Sequence, residues 1–470
     1  MKEIEFDKEL KITETNIPGV IVFDIPVFGD SRGWFKENWQ REKMVNLGLP
    51  DFGPVQNNIS FNERRGTTRG IHGEPWDKYV SVALGKIFGA WVDLREGDGF
   101  GQIFTLEMDP SKAIYIPRGV ANAFQTLQDN TVYSYLVNDH WREGATDYSF
   151  LNLADSTVNI QWPIPLKEAR VSEKDKNHPK LGEIIPVKNR KTLVIGGLGQ
   201  LGVSLQRVLP NAEFVDKDDF DMTDPGAYKT KNWREYDTII NVAAYTAVDQ
   251  AETPEGRKMA WDINARAVSY LVKVANENNM IFVHISSEYV FDGTNEVHDE
   301  QEKFSPLGVY AQTKAAGDIA ASQADKLYLV RTSWVIGEGD NFVRTMDGLA
   351  KKDVKPIVVN DQIGRLTFTE DLAAGILHLL KTRSEFGTYN ISNTGDPVSW
   401  ADIAKIVYEK NGKYADYVTP VSTQKYYKNK NNISPRPPQS TLKLDKIESV
   451  GFHPRGWQEA LNEYLNEEKK

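Results

Sequence analysis

The chain has 470 residues, 40% of them apolar and 26% charged, with a formal net charge of -10. This globular composition has room for two or three domains, and without a basic run it argues against a polyanion-binding surface, so no nucleic-acid partner is expected. The absence of cysteine excludes disulfides, iron–sulfur clusters and thiolate catalysis.

The opening MKEIEFDKEL lacks the apolar core of a signal peptide, and no apolar run approaches the roughly 18 residues of a membrane span. A cytoplasmic chain without a membrane partner is expected. The first half predicts short strands at Val20–Phe23, Tyr79–Ala83, Ile87–Leu94, Gln102–Met108, Ala113–Ile116 and Thr131–Val137. Turns such as Gly97-Asp98-Gly99 and Pro117-Arg118-Gly119 separate them, a pattern that predicts a β-sandwich or jelly roll. Helical periodicity is confined to Glu37–Leu47. The run Thr68-Arg69-Gly70-Ile71-His72 stands just before Lys78. A metal-binding jelly roll needs a second histidine beside the first; Gly73 and Glu74 follow instead, so no metal is expected. A lone imidazole with Lys and Tyr nearby suits proton transfer, its alternative being a hydrogen-bonded core histidine.

Residues 24–175 resemble the dTDP-4-dehydrorhamnose 3,5-epimerase family, a metal-independent branch of the cupin jelly rolls. The resemblance lies in Phe28–Glu37 (FGDSRGWFKE), Val55–Asn58, Arg69–His72, Lys78, Val92–Arg95, Ile116–Ala121, Tyr135, Trp162-Pro163 and Ser172–Asp175. It implies His72 as base, Asp175 as the carboxylate that orients it, Tyr135 as acid on the opposite face, and Lys78 beside the enolate oxygen. It implies Arg32, Phe35, Glu37, Gln56, Asn58 and Arg69 as the residues that hold diphosphate and thymidine. Asn122 stands where the family often has a second histidine, and can still hydrogen-bond a phosphate. Some of these residues reach across a dimer interface in that family, which implies a homodimer through the N-terminal domain.

Residues 176–190, polar with two prolines, predict the end of the first domain and a short linker, giving domains of 1–185 and 190–470. The stretch Lys191–Leu205 (KTLVIGGLGQLGVSL) reads as a buried strand, Thr192–Ile195, a glycine turn, and a helix start. Gly196, Gly199 and Gly202 let the backbone approach a pyrophosphate at the helix N-terminus. Further strands are predicted at Glu213–Asp216, Thr238–Val242, Ile281–Ile285, Leu327–Val330 and Gly387–Ile391, with a long helix over Arg257–Asn276. This alternation predicts an α/β Rossmann-like, doubly wound parallel sheet with a small C-terminal substrate-binding part. Tyr310 and Lys314 fall at i and i+4, on one helix face, where an ammonium would lower the phenol's pKa. Ser286-Ser287-Glu288-Tyr289 ends a strand, where ligands bind in such sheets.

The second half resembles the extended short-chain dehydrogenase/reductase family, and within it dTDP-4-dehydrorhamnose reductase. The matching stretches are Gly199-Gln200-Leu201-Gly202, Asn241–Asp249 (NVAAYTAVD), Ser286–Gly293 (SSEYVFDG), Arg331–Trp334 and Asp361–Gly364. The resemblance implies Tyr310 as proton donor to the C4 oxygen, Lys314 on the cofactor ribose, and Ser287 as the polarising hydroxyl. Gly196, Gly199, Gln200, Leu201, Gly202, Ala243, Ala244 and Tyr245 would flank the cofactor, with Glu288, Tyr289 and Trp334 at the sugar. Leu366 replaces the family's usual proline, which implies a looser loop. Asp216 suits a ribose 2′-hydroxyl and Lys217 a phosphate, so NADPH and NADH both stay open.

Joined, the halves imply a bifunctional enzyme that converts dTDP-4-dehydro-6-deoxy-D-glucose to dTDP-L-rhamnose. The alternatives are a different dTDP-6-deoxy-L-hexose product, or an active reductase behind a non-catalytic binding module.

Overall fold

The computed structural model describes residues 6, 8–141, 148–428, 430 and 432–467. Packing divides the chain between Asn189 and Arg190 into two compact units. Among the described residues no helix is long and apolar enough to cross a membrane.

The front unit is built on two antiparallel sheets. One has six strands, ordered Lys11–Glu14, Ile21–Asp24, Lys112–Ile116, Lys78–Leu84, Thr131–Val137 and Gln56–Asn62. The other has five, ordered Ser149–Phe150, Thr68–Gly73, Val120–Thr126, Ile87–Asp93 and Ile103–Met108. Val80, Val82, Ile114 and Tyr133 of the first sheet meet Trp91, Met108 and Phe124 of the second in a shared core. Behind the first sheet, Met44 of the helix Arg41–Asn46 packs on Phe23 and Tyr79. Behind the second, Ile71, Val92 and Ala121 are covered by Leu151, Leu153, Val158 and Leu181.

The predicted linker is mostly part of this unit. Leu181 enters the core, and the Val187 N–H donates to the Leu94 carbonyl at 2.7 Å. Apolar anchors in a polar context gave 176–187 its place, so the connection shortens to Lys188-Asn189-Arg190.

The rear unit holds a six-stranded parallel sheet, ordered Glu213–Val215, Lys191–Ile195, Tyr236–Asn241, Ile281–Ser287, Leu327–Thr332 and Gly387–Asn390. The first strand in sequence lies between the second and third, so a crevice opens at their C-terminal ends. A second core joins Val343 and Met346, Ile403 and Val407, and Trp457 and Leu461, on the helices Phe342–Lys351, Trp400–Lys410 and Trp457–Glu467. Leu366 is fully enclosed in this core, and the Thr367 N–H bonds the Trp334 carbonyl. The residue that replaces proline therefore anchors its loop instead of loosening it.

The predicted long helix is interrupted. Pro254–Trp261 and Ala267–Glu277 are α-helical, but a π-turn spans Asp262–Arg266. The extra residue turns Asn264 inward. Its side chain brackets Tyr245 through both main-chain groups and reaches the Thr313 hydroxyl at 3.1 Å. Such π-turns are frequent at functional sites.

Candidate active sites

In the front unit a bulge decides which side chains meet. His72 pairs with Asn122, while Arg69 pairs with Phe124, so three residues on one strand span two on its neighbour. Three-residue spacing would put Arg69 and His72 on opposite faces of a regular strand; the bulge returns both to one face. Gly70 makes this possible at φ +126°, because a Cβ there would lie 2.5 Å from the Ala123 Cβ.

The His72 Nε2 sits 3.1 Å from the Asp175 Oδ1. Asp175 lies on the short helix Glu173–Lys176, capped by the Ser172 hydroxyl, and also accepts the Gly70 N–H at 3.3 Å. Burial works to raise this carboxyl. The His72 hydrogen bond and charge, with the Gly70 N–H, outweigh burial and hold it below the ordinary carboxylate range. An ionised carboxylate only accepts, so Nε2 is the donor to Asp175, and in the neutral ring the lone pair falls on Nδ1. A cavity of about 570 Å³ opens here, lined by Thr68, Arg69, His72, Arg170, Ser172 and Asp175.

Asn122, as cross-strand partner, shares His72's face. Its Oδ1 accepts from the buried Lys78 Nζ at 2.6 Å, and its amide faces the Tyr133 hydroxyl at 3.3 Å. Lys78 also pairs with Glu74, a partner that the sequence reading passed over, and lies 5.4 Å from the Tyr135 ring centroid. Burial and Glu74 raise the Tyr135 phenol against the pull of Arg69. It stays protonated, as a donor must. Tyr133, two residues earlier, is stacked on Phe124 at 4.2 Å and belongs to the core. Asn58 pairs with Tyr135 and accepts from the Gln56 amide at 2.9 Å, while Asn62 accepts from Arg69 at 3.0 Å.

Arg32, Phe35 and Glu37 are not gathered with these residues. Arg32 is paired with Asp30 in an exposed hairpin, Phe35 is 69% exposed, and Glu37 binds Lys43.

The fold also brings His178 to Asp175, with Nε2 3.7 Å from Oδ1. His72, Asp175 and His178 each offer a ligand atom within 4.8 Å of the others. The expectation of no metal set looked only beside His72 in sequence, and the second imidazole comes from the far end of the unit.

In the rear unit Gly196, Asp216 and Ala243 follow the C-terminal ends of the first three strands, while Gln200, Leu201 and Gly202 open the helix after the first and Lys314 lies on the helix Val309–Ala321. Gly196 has φ +92°, and a Cβ on it would meet the Ala243 nitrogen at 2.7 Å, so the first and third loops touch. A Cβ on Gly202 would lie 2.4 Å from the Gly196 carbonyl. Gly199 caps the helix Gln200–Val208, leaving bare backbone and a helix N-terminus facing the crevice, a cradle that fits a pyrophosphate. The two Asp216 carboxylate oxygens accept the Leu198 and Lys217 N–H groups, each at 3.0 Å, so this acid braces the glycine turn.

Tyr310 and Lys314 share one face of the helix Val309–Ala321, but the ammonium is turned to the Ile285 carbonyl at 2.6 Å. Burial lowers Lys314 to about 8, against the attraction of Asp318. The expected lowering of the phenol does not occur in the free chain. Burial and Glu288 push Tyr310 well up, with the Ser287 hydroxyl pulling the other way. The Ser287 hydroxyl donates to Glu288 at 2.6 Å, and burial pushes Glu288 up to about 7. Tyr289 meets Tyr310 edge-on at 5.4 Å. Trp334 is stacked on Trp400 at 3.8 Å, which makes it a wall of the C-terminal core.

The dTDP-4-dehydrorhamnose 3,5-epimerase family matches residues 14–183, and the RmlD substrate binding domain family matches 190–470. The RmlC homolog of Streptococcus pyogenes serotype M6 is 52% identical over 40% of this chain and 98% of its own length. The dTDP-4-dehydrorhamnose reductase of Aggregatibacter actinomycetemcomitans is 34% identical over 58% of this chain and 97% of its own. The crystal structure of dTDP-4-dehydrorhamnose reductase from Bacillus anthracis, in complex with NADP, has a TM-score of 0.55. It is 32% identical and covers 59% of this chain and 99% of its own. The chain therefore belongs to the RmlD substrate binding domain family through its rear unit and to the dTDP-4-dehydrorhamnose 3,5-epimerase family through its front unit, and is a fusion of the two.

Proposed function

We propose that the chain makes dTDP-L-rhamnose from dTDP-4-dehydro-6-deoxy-D-glucose, epimerising C3 and C5 in a cupin-like jelly roll (1–185) and reducing C4 in the Rossmann-like domain (190–470). One ketone serves both steps: it acidifies its neighbouring carbons, then accepts hydride. The observation that carries the reading is the hydrogen bond from His72 Nε2 to Asp175, which leaves Nδ1 free as a base on a face shared with the Lys78-bound Asn122.

His72 takes the C3 or C5 proton, and Asp175 stabilises the resulting imidazolium. Lys78 lies where negative charge collects on the ketone oxygen. Tyr135, held protonated, returns a proton from the other face. Gln56, Asn58, Arg69 and Asn122 lie within this group of strands and serve the nucleotide. Arg32, Phe35 and Glu37 reach a neighbouring protomer's site. Homodimerisation is supported by the edge strand Gln56–Asn62, whose outward Ile59 and Phe61 are 69% and 58% exposed. The lack of cysteine accords with action in the cytoplasm.

In the rear domain NADPH or NADH supplies the hydride. Gly196, Gly199, Gln200, Leu201 and Gly202 receive its pyrophosphate, and Ala243, Ala244 and Tyr245 line the adjoining loop that Asn264 holds. Tyr310 gives its proton to the C4 oxygen as hydride arrives, with Ser287 aligning that oxygen and Lys314 close by. Glu288 and Tyr289 face the sugar, and Trp334 borders it.

The division of labour is tested with His72→Ala. It should stop NADPH oxidation from the unepimerised sugar while still reducing pre-epimerised substrate. Oxidation of the unepimerised sugar at the unaltered rate would overturn the reading.

A further inference from the structure

We propose that His72, Asp175 and His178 form a site for a divalent transition-metal ion, best fitted by Zn²⁺, and that the ion switches the epimerase off. The consequence for epimerisation rests on the reading of His72 as base; the site itself does not.

Two of the donor separations are close to those that such an ion needs, and the third closes by a small turn of an imidazole. Zinc holds imidazole nitrogen and carboxylate oxygen at about 2.0–2.2 Å, so neighbouring ligand atoms in a tetrahedron lie about 3.4 Å apart. Here the Asp175 Oδ1 stands 3.1 Å from the His72 Nε2 and 3.7 Å from the His178 Nε2. All three donors lie within 4.8 Å of one another. Two imidazoles and one carboxylate leave a fourth position for water, and this donor set suits zinc over the oxygen-seeking magnesium and calcium.

His178 is an independent sign of a missing ligand. It is 8% exposed, and neither ring nitrogen makes a hydrogen bond of ordinary geometry. The polar groups that act on it are Asp175, His72, Lys174 and the Leu151 main chain. A buried polar atom without a well-formed hydrogen bond is unfavourable, and a bound ion is one of the standard remedies.

The chemistry of the switch follows from the tautomer. Without metal, the His72 Nε2–H donates to Asp175 and Nδ1 holds the lone pair that accepts a carbon-bound proton. Metal at Nε2 needs the lone pair there, so the ring proton moves to Nδ1. The ring stays neutral, no electron changes hands, and the nitrogen facing the substrate no longer has a pair to offer.

The experiment adds Zn²⁺ to the full-length, chelator-treated chain; with no cysteine present, thiolate binding cannot compete. One equivalent should abolish solvent-deuterium exchange at C3 and C5, leave reduction of pre-epimerised substrate unchanged, and be reversed by EDTA. His178→Gln should weaken zinc binding by more than the roughly 10- to 100-fold that an outer partner's loss costs, and so resist inhibition. Because that variant could misfold, Co²⁺ on the unaltered chain provides a second measurement. One equivalent should give the intense visible bands of a tetrahedral site and two paramagnetically shifted histidine N–H resonances. Exchange that persists with one zinc bound, equal zinc affinity in His178→Gln, or a cobalt spectrum without two histidines would overturn the proposal. No exchange even in the metal-free chain would instead refute the epimerase reading, leaving the cobalt spectrum to decide the site.

Discussion

Replacing Glu288 by Gln should free the rear unit from a loss of stability that the unaltered chain suffers as pH rises. The Glu288 carboxyl is pushed up from an ordinary 4.5 to about 7, first by burial, with hydrogen bonds from Ser287, Ser440 and main-chain groups opposing it. A carboxyl with a raised folded-state pKa binds its proton more tightly when folded. Its contribution is therefore intact below about pH 4.5 and is lost progressively as pH climbs to 7, at up to about 1.4 kcal/mol per pH unit. The interval from 4.5 to about 7 corresponds to about 3 kcal/mol. Glutamine keeps a polar group against Ser287 but cannot ionise. In calorimetry of the full chain at pH 5 and pH 8, the variant's rear transition should gain about 6 °C on the unaltered chain, at about 2 °C per kcal/mol. Comparing the two proteins cancels the other titrating groups, including the buried Asp318. A gap between the two transitions that is the same at both pH values would refute the claim that burial raises this acid.

Three further outcomes are expected. Asp175→Asn removes the carboxylate that fixes the His72 tautomer, so C3 and C5 exchange should fall by about 10²-fold or more while reduction of pre-epimerised substrate is kept. Gly70→Ala sets a methyl against Ala123 at a positive φ, and should destabilise the front unit by about 3 kcal/mol in denaturant titration; full exchange activity in a stable variant would contradict the bulge argument. Tyr310→Phe should lower the reduction rate by about 10²- to 10⁴-fold with cofactor affinity unchanged by fluorescence titration.

The elements with one consistent pattern were legible in the sequence. Thr131–Val137 alternates, and its bounds agree to the residue; the glycine turn after Lys191–Ile195 is equally plain. Gln56–Asn62 escaped because its polarity is inverted: the polar Gln56 and Asn58 turn inward, while Ile59 and Phe61 face outward. Periodicity cannot reveal a bulge either, although Gly70 is its trace, and it is the bulge that places Arg69 beside His72. The π-turn at Asn264 hides within a sound helical pattern, because one extra residue shifts the phase without breaking it. His178 sits in a polar stretch that read as linker, where only Leu181 and Val187 betrayed packing.

Proton exchange at C3 and C5 must precede hydride transfer on the same ketone. The full-length chain should be given dTDP-4-dehydro-6-deoxy-D-glucose and NADPH in deuterated water, and the product read by NMR. The product should be dTDP-L-rhamnose carrying deuterium at C3 and C5, with the C4 hydrogen drawn from the cofactor. A reduced sugar with protons retained at C3 and C5 would contradict that order.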